Sequence, residues 1–134
     1  MKSRETLVRL KRFQAEEKRR RVAQIEMMIN EFSRKAGDLD REIAIEEQRS
    51  GNSDPSHFAY STYARAARTR RDNLNHSAEE FRTQFEEAKA HYSEALEELE
   101  KAQTLDGREK GERSIEVVRE PAGLNMIGMR SVGA

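Results

Sequence analysis

Residues 22–43 read VAQIEMMINEFSRKAGDLDREI, in which Val22, Ile25, Ile29, Phe32, Ala36, Leu39 and Ile43 recur at steps alternating between three and four. That spacing keeps one apolar stripe turned toward a partner helix as the two wind left-handedly around each other. A second ladder with the same step runs through Leu74, Ala78, Phe81, Phe85, Ala88, Tyr92, Ala95, Leu99 and Ala102. No period-two alternation, the mark of a strand, competes with either. The expected fold is all-α, with two long helices in an antiparallel coiled-coil hairpin that serves as an interaction rod.

Between the ladders, Ser50-Gly51-Asn52-Ser53-Asp54-Pro55 gathers helix-breaking residues. Gly51 suits a left-handed C-terminal cap, Asp54 an N-cap, and Pro55 the first helical position, where a missing N–H costs nothing. The spacing therefore predicts a helix over about 3–49, a loop over 50–54 and a helix over about 55–105, together a hairpin domain of residues 1–106. At about 1.5 Å per residue each helix would run on the order of 70 Å. From Gly107 the ladder stops, and Gly107, Gly111, Pro121, Gly123, Gly128 and Gly133 follow without period, so residues 107–134 are expected to form a disordered, flexible tail. Two short apolar stretches in it, Ile115-Glu-Val117-Val118 and Leu124-Asn-Met126-Ile127-Gly-Met129, are of a kind that orders on a partner.

Charge blocks point to the same pairing. Residues 1–21 carry net +6 and residues 79–106 net −6, while residues 22–47 carry net −4 and residues 48–78 net +3. Folding at the loop sets opposite signs side by side in both halves. A parallel pair would stack like on like, and flanking charges choose helix orientation. Exposed pairs contribute little energy each, so the blocks set orientation more than stability.

Composition narrows the class further. Of the 134 residues, 37% are charged, 35% hydrophobic and 6% aromatic, and the mean hydropathy is −0.99. A helix pair buries only a stripe and tolerates that balance, whereas a globule with a three-dimensional core does not. The formal net charge of zero supplies no electrostatic reason to expect nucleic acid. Without cysteine there is no disulfide framework or thiol nucleophile. The opening MKSRETLVRLKRF breaks every apolar run with charge, well short of the about 7–15 residues of a signal peptide core. No stretch approaches the roughly 20 apolar residues of a membrane span. A soluble, cytoplasmic protein is expected.

Chemistry is sparse. His57, His76 and His91 lie too far apart for local metal-ligand spacing, and none belongs to an HExxH pair. Gly123 to Gly128 has the glycine spacing of a phosphate loop, but Met129-Arg130-Ser131 follows where Lys-Ser/Thr is required. Carboxylates are plentiful, yet a helix pair has no cleft to desolvate one for acid catalysis. The expectation is a non-enzymatic protein with no cofactor and no metal. Binding surfaces are the remaining candidates. Leu7, Leu10 and Phe13 lie on a stripe rotated from the first ladder, which Val8, Ala15 and Lys18 continue backwards across the polar run Glu16 to Arg21. They either pack on the end of the second helix or face a partner. Near the loop, Tyr60, Ala64 and Ala67 fall on the seam while Phe58 and Tyr63 sit beside it among Arg65, Arg68, Arg70 and Arg71. That group reads either as a docking face or as a solvated basic face answering the acidic block of the first helix.

Two stretches, SRETLVRLKRFQAEEKRRRVAQIEMMI over residues 3–29 and LDREIAIEEQRSGNSDPSHFAYSTYARAARTRRDNL over residues 39–74, resemble FliJ-type flagellar export proteins of the alphaproteobacterial kind. Together they cover about half the chain. The resemblance implies a small cytoplasmic antiparallel coiled coil at the inner face of the flagellar base, working in type III protein export for motility. It implies a stalk-like protein that inserts into the export ATPase ring, promotes ring assembly, and contacts the membrane export gate and substrate chaperones. By that resemblance the ATPase end comprises residues 3–21 beside roughly 85–105, with Leu7, Leu10, Lys11 and Phe13 as contacts. The gate surface falls on Tyr63, Ala67, Arg70 and Leu74, of which Tyr63 and Leu74 keep the expected aromatic or aliphatic character. Two other readings fit the periodicity. One is a generic coiled-coil adaptor or structural protein forming a homodimer; the other is a helical-hairpin arm contacting nucleic acid through Arg19 to Arg21 and Arg65 to Arg71.

Overall fold

The computed structural model describes residues 2–118, with side chains described over residues 3–111. Helix α1 spans Lys2–Ser50 and helix α2 spans Thr62–Val118, and there is no strand among the described residues. The two helices pack against each other, and their contacts divide the described residues into two compact units, residues 17–92 and residues 2–16 with 93–118. The division falls at the polar run Glu16 to Arg21, where the first ladder offers no apolar rung.

Residues 17–92 form an antiparallel hairpin around the expected seam. Ile25, Ile29 and Ala88 are buried together, with Val22, Phe81 and Phe85 packed on them. Ile25 is 1% exposed, and burying a side chain of that size contributes about 1.5–3 kcal/mol. Phe32 stacks on Phe81 with ring centroids 5.7 Å apart. Nearer the loop, Leu39, Ile43 and Ala67 form a second cluster completed by Leu74. Every rung of the first ladder is buried or half-buried, as is every rung of the second in this unit. The reason is geometric: a three-four step holds those positions on the face turned to the other helix.

The charge blocks meet as the sequence implies. Arg71 Nη1 lies 2.9 Å from Asp40, and Arg68 Nη1 lies 3.5 Å from Glu47. The Tyr60 hydroxyl donates to Glu47 at 2.5 Å, and the Ser61 hydroxyl donates to Glu46 at 3.2 Å. Burial pushes the Tyr60 phenol above its ordinary pKa, and the Glu47 carboxylate adds to that shift. Arg71 also pairs with Asp72, so Arg71→Glu would face two carboxylates. We expect this variant to melt earlier at low salt, losing about 1 kcal/mol, with the deficit shrinking as salt screens the repulsion. Thermal melts at two ionic strengths check it; a salt-independent deficit would point to lost packing instead.

The connection is longer than the sequence suggests and starts the second helix later. Gly51, at φ 75°, caps α1 as expected, its N–H reaching the Glu47 carbonyl at 2.9 Å. Asp54 and Pro55, however, do not open α2. They form a separate turn in which the His57 N–H donates to the Asp54 carbonyl at 3.0 Å, a bond spanning three residues. Asp at the first and Pro at the second position favour a type I turn as strongly as a helix start. The cap of α2 is Ser61, whose hydroxyl accepts from the Ala64 N–H at 3.2 Å. The intervening residues turn Tyr60 inward to 4% exposure.

Hydrogen bonds from the Ser56 hydroxyl and backbone N–H hold the Asp54 carboxyl below its ordinary pKa. A depressed carboxyl stabilises the fold fully above the unfolded carboxylate range and loses that contribution as pH falls through the folded value. An NMR titration is expected to place the Asp54 midpoint below the ordinary aspartate value, and Ser56→Ala is expected to raise it. An unchanged midpoint in that variant would contradict the turn geometry.

In the other unit, Val8, Ala15 and Ala102 are buried and Ala95 and Leu99 are half-buried. Arg4 Nε lies 3.0 Å from Glu109, Arg4 Nη1 donates to the Leu105 carbonyl at 3.2 Å, and Lys11 Nζ lies 3.5 Å from Glu98. These pairs run antiparallel; Lys11 to Glu98 joins the basic start of α1 to the acidic block of α2, and Arg4 reaches Glu109 just past that block. The second helix does not stop near residue 105 but continues to Val118, so residues 107–118 of the expected flexible tail are helical. Asp106 and Glu109 carry the three-four step onward from Ala102 as half-buried polar rungs. The rest of the expected tail, with the stretch Leu124 to Met129 and the spaced glycines Gly123 and Gly128, lies outside the described residues.

Candidate functional site

At the start of α1, the sequence leaves Leu7, Leu10 and Phe13 between two roles. Leu7 is half-buried beside the seam, whereas Leu10 is 49% and Phe13 58% exposed. Helical geometry explains the split. At about 100° per residue, Leu10 lies about 200° round from Val8 and Phe13 about 160° from Ala15, so both sit behind the seam. Exposed Arg9 and Arg12 flank them. Lys11 faces α2 instead and is held by Glu98. The four residues assigned to the ATPase end therefore separate into an outward apolar pair, a half-buried Leu7 and a Lys11 held by α2. The outward pair combines an aromatic anchor with cationic neighbours, a combination suited to docking on an apolar patch with an acidic rim.

The four residues assigned to the gate surface also separate. Ala67 is buried with Leu39 and Ile43, and Leu74 packs on the same cluster. Tyr63 and Arg70 are exposed and, being two turns apart, share one face. The Tyr63 hydroxyl donates to Glu42, and that hydrogen bond raises the phenol pKa. A neighbour missed by sequence reading is Ile45, 57% exposed, which lines a groove of about 410 Å³ with Glu42, Glu46, Arg49 and Tyr63. The signal was present: Ile45 stands two residues past the rung Ile43 and so points away from the seam.

The arginines near the loop are largely engaged. Arg68 and Arg71 pair with Glu47 and Asp40, and Arg65 lies over the Tyr60 ring at 5.3 Å while donating to the Pro55 carbonyl at 2.9 Å. This favours a basic face answering the acidic block of α1. Phe58 stands apart, 93% exposed and stacked on His57 at 4.7 Å.

A second groove, of about 460 Å³, opens between the helices where the polar run of α1 faces Ala88. Its walls are Glu17, Lys18, Arg21, Gln84, Glu87 and His91, with Ile25 and Ala88 beneath. Among the described residues no group of three or more His, Asp or Glu side chains is placed to hold a metal ion, and no helix is long and apolar enough to cross a membrane. The chemistry these surfaces support is recognition through apolar anchors and charge. No protein-family model, curated protein or solved structure matches the chain.

Proposed function

We propose that this protein is a non-enzymatic, FliJ-type component of the flagellar type III export apparatus. It acts as a coiled-coil stalk that docks in the export ATPase ring and couples it to the membrane export gate and substrate chaperones. It works peripherally at the cytoplasmic face of the flagellar base. The antiparallel pairing of α1 and α2 is the architecture such a role requires, and residues 3–29 and 39–74 carry the resemblance. The observation that carries the reading is the uncovered pair Leu10 and Phe13, flanked by Arg9 and Arg12, on the segment that the resemblance assigns to the ring. A large aromatic left in water beside cations contributes nothing to the helix pair and much to a docked complex.

Direct binding to the export ATPase of the same organism tests this. Because Leu10 and Phe13 lie outside the seam, Leu10→Ala with Phe13→Ala is expected to leave helicity and melting unchanged. Affinity for the ATPase should fall about tenfold or more, the loss typical of anchor residues. Full affinity in the double variant would remove this surface from the docking site, and absence of binding by the folded parent would remove the reading itself.

A further inference from the structure

Two exposed apolar surfaces of the chain differ in the charge around them. At the start of α1, Leu10 and Phe13 stand in water beside Arg9 and Arg12. Near the loop, Ile45 and Tyr63 stand in water on the groove that also holds Glu42, Glu46 and Arg49. We propose that these surfaces bind each other between copies of this chain: Leu10 and Phe13 of one molecule seat on Ile45 and Tyr63 of a second, with Arg9 and Arg12 set against Glu42.

Charge selects this pairing. Arg9 and Arg12 are exposed inside a block of net +6 and enter no ion pair among the described residues. Glu42 is likewise exposed and outside any ion pair among them; it accepts the Tyr63 hydroxyl, and a carboxylate has room for further donors. Glu46, in contrast, is already engaged by Arg49 and Ser61. Joining two α1 starts would set Arg9 and Arg12 against their own counterparts, and joining two grooves would set Glu42 against its own. Only the crossed contact opposes unlike charges while covering all four apolar side chains. An aromatic anchor entering a groove of about 410 Å³, with a charge pair at its edge, has the make-up of a binding hot spot. Both surfaces are small, so the association is weak and depends on concentration. The inference does not rest on the export reading; where both hold, a molecule docked on a second copy through Leu10 and Phe13 is withheld from the ATPase.

Sedimentation of the full chain, with no ATPase present, is expected to show association that grows with protein concentration and recedes as salt is added. Two double variants separate the surfaces: Leu10→Ala with Phe13→Ala, and Ile45→Ala with Tyr63→Ala. All four positions lie off the seam, so circular dichroism should be unchanged, while each variant alone should self-associate about tenfold or more weakly. Mixing them restores one intact copy of each surface. The first variant, fluorescently labelled and titrated with the second, should therefore bind more tightly than either variant binds itself. A parent chain that stays monomeric at every concentration would overturn the inference. So would self-association that survives in either variant, or a mixture that binds no better than its components, since both outcomes belong to contacts between like surfaces or to contacts elsewhere.

Discussion

Proline at Ile29 is expected to abolish the cooperative melting of the hairpin and most of its helical circular dichroism. Ile29 sits in the middle of α1, 8% exposed in the cluster with Ile25 and Ala88. Proline there removes a backbone hydrogen bond, drives its ring into the preceding turn at a cost of about 3 kcal/mol or more, and deletes a core side chain. Losing a buried isoleucine adds about 2–5 kcal/mol, and the total rivals the whole stability of an ordinary domain, about 5–15 kcal/mol. Proline at Phe81, across the seam and stacked on Phe32, should act in the same way. Retained helicity and an unchanged melting temperature in either variant would contradict the helical assignment.

The second large effect is expected from Ile25→Asp. Ile25 is the one large side chain fully enclosed among the described residues, and the side chains packed in its cluster, Val22, Ile29, Phe81, Phe85 and Ala88, are all apolar, with Lys18, Arg21 and His91 on the walls of the groove above it. A buried carboxylate left unpaired costs about 3–5 kcal/mol, on top of the lost packing, and the nearby Lys18 and Arg21 offset part of that cost. Ile25→Val removes one methylene from the same place and should cost only about 0.5–1.5 kcal/mol. Denaturant melts of the two variants separate these outcomes. Similar, small losses in both would mean that the site is wet and that the seam is not the source of stability.

The seam was readable from the sequence because its information is local and periodic. Ile25, Ile29, Ala36, Leu39 and Ile43 are all buried where the three-four step placed them. The charge blocks chose the orientation correctly, since Lys11 meets Glu98 and Arg71 meets Asp40. The helix boundaries were less readable, for physical reasons. Asp54-Pro55 has the same residue preferences in a type I turn as at a helix start, and only the inward placement of Tyr60 decides between them. Gly107 and Gly111 each cost about 1 kcal/mol in a helix, yet the Asp106 to Lys110 pair and the Arg4 to Glu109 contact accompany them across the extension. Because the rungs Asp106 and Glu109 are polar, a search for apolar periodicity passes over them.

The candidate surfaces were readable only in part, because exposure depends on what the other helix leaves uncovered. The sequence placed Leu10 and Phe13 off the seam without deciding whether α2 reaches round to cover them, and it does not. The resemblance grouped Ala67 and Leu74 with Tyr63 and Arg70, four positions on little more than one face of a helix, although the apolar spacing already put the first two on the seam. The packing against Leu39 and Ile43 draws the first two inward and leaves the other two in water.

The stalk role is tested most directly by following hydrolysis and ring assembly of the flagellar export ATPase from the same organism while this protein is titrated in. The account predicts a saturable rise in ATP hydrolysis together with ring formation, both lost when Leu10 and Phe13 are replaced by alanine. A folded, helical sample that changes neither hydrolysis nor the oligomeric state of the ATPase at any concentration would contradict it.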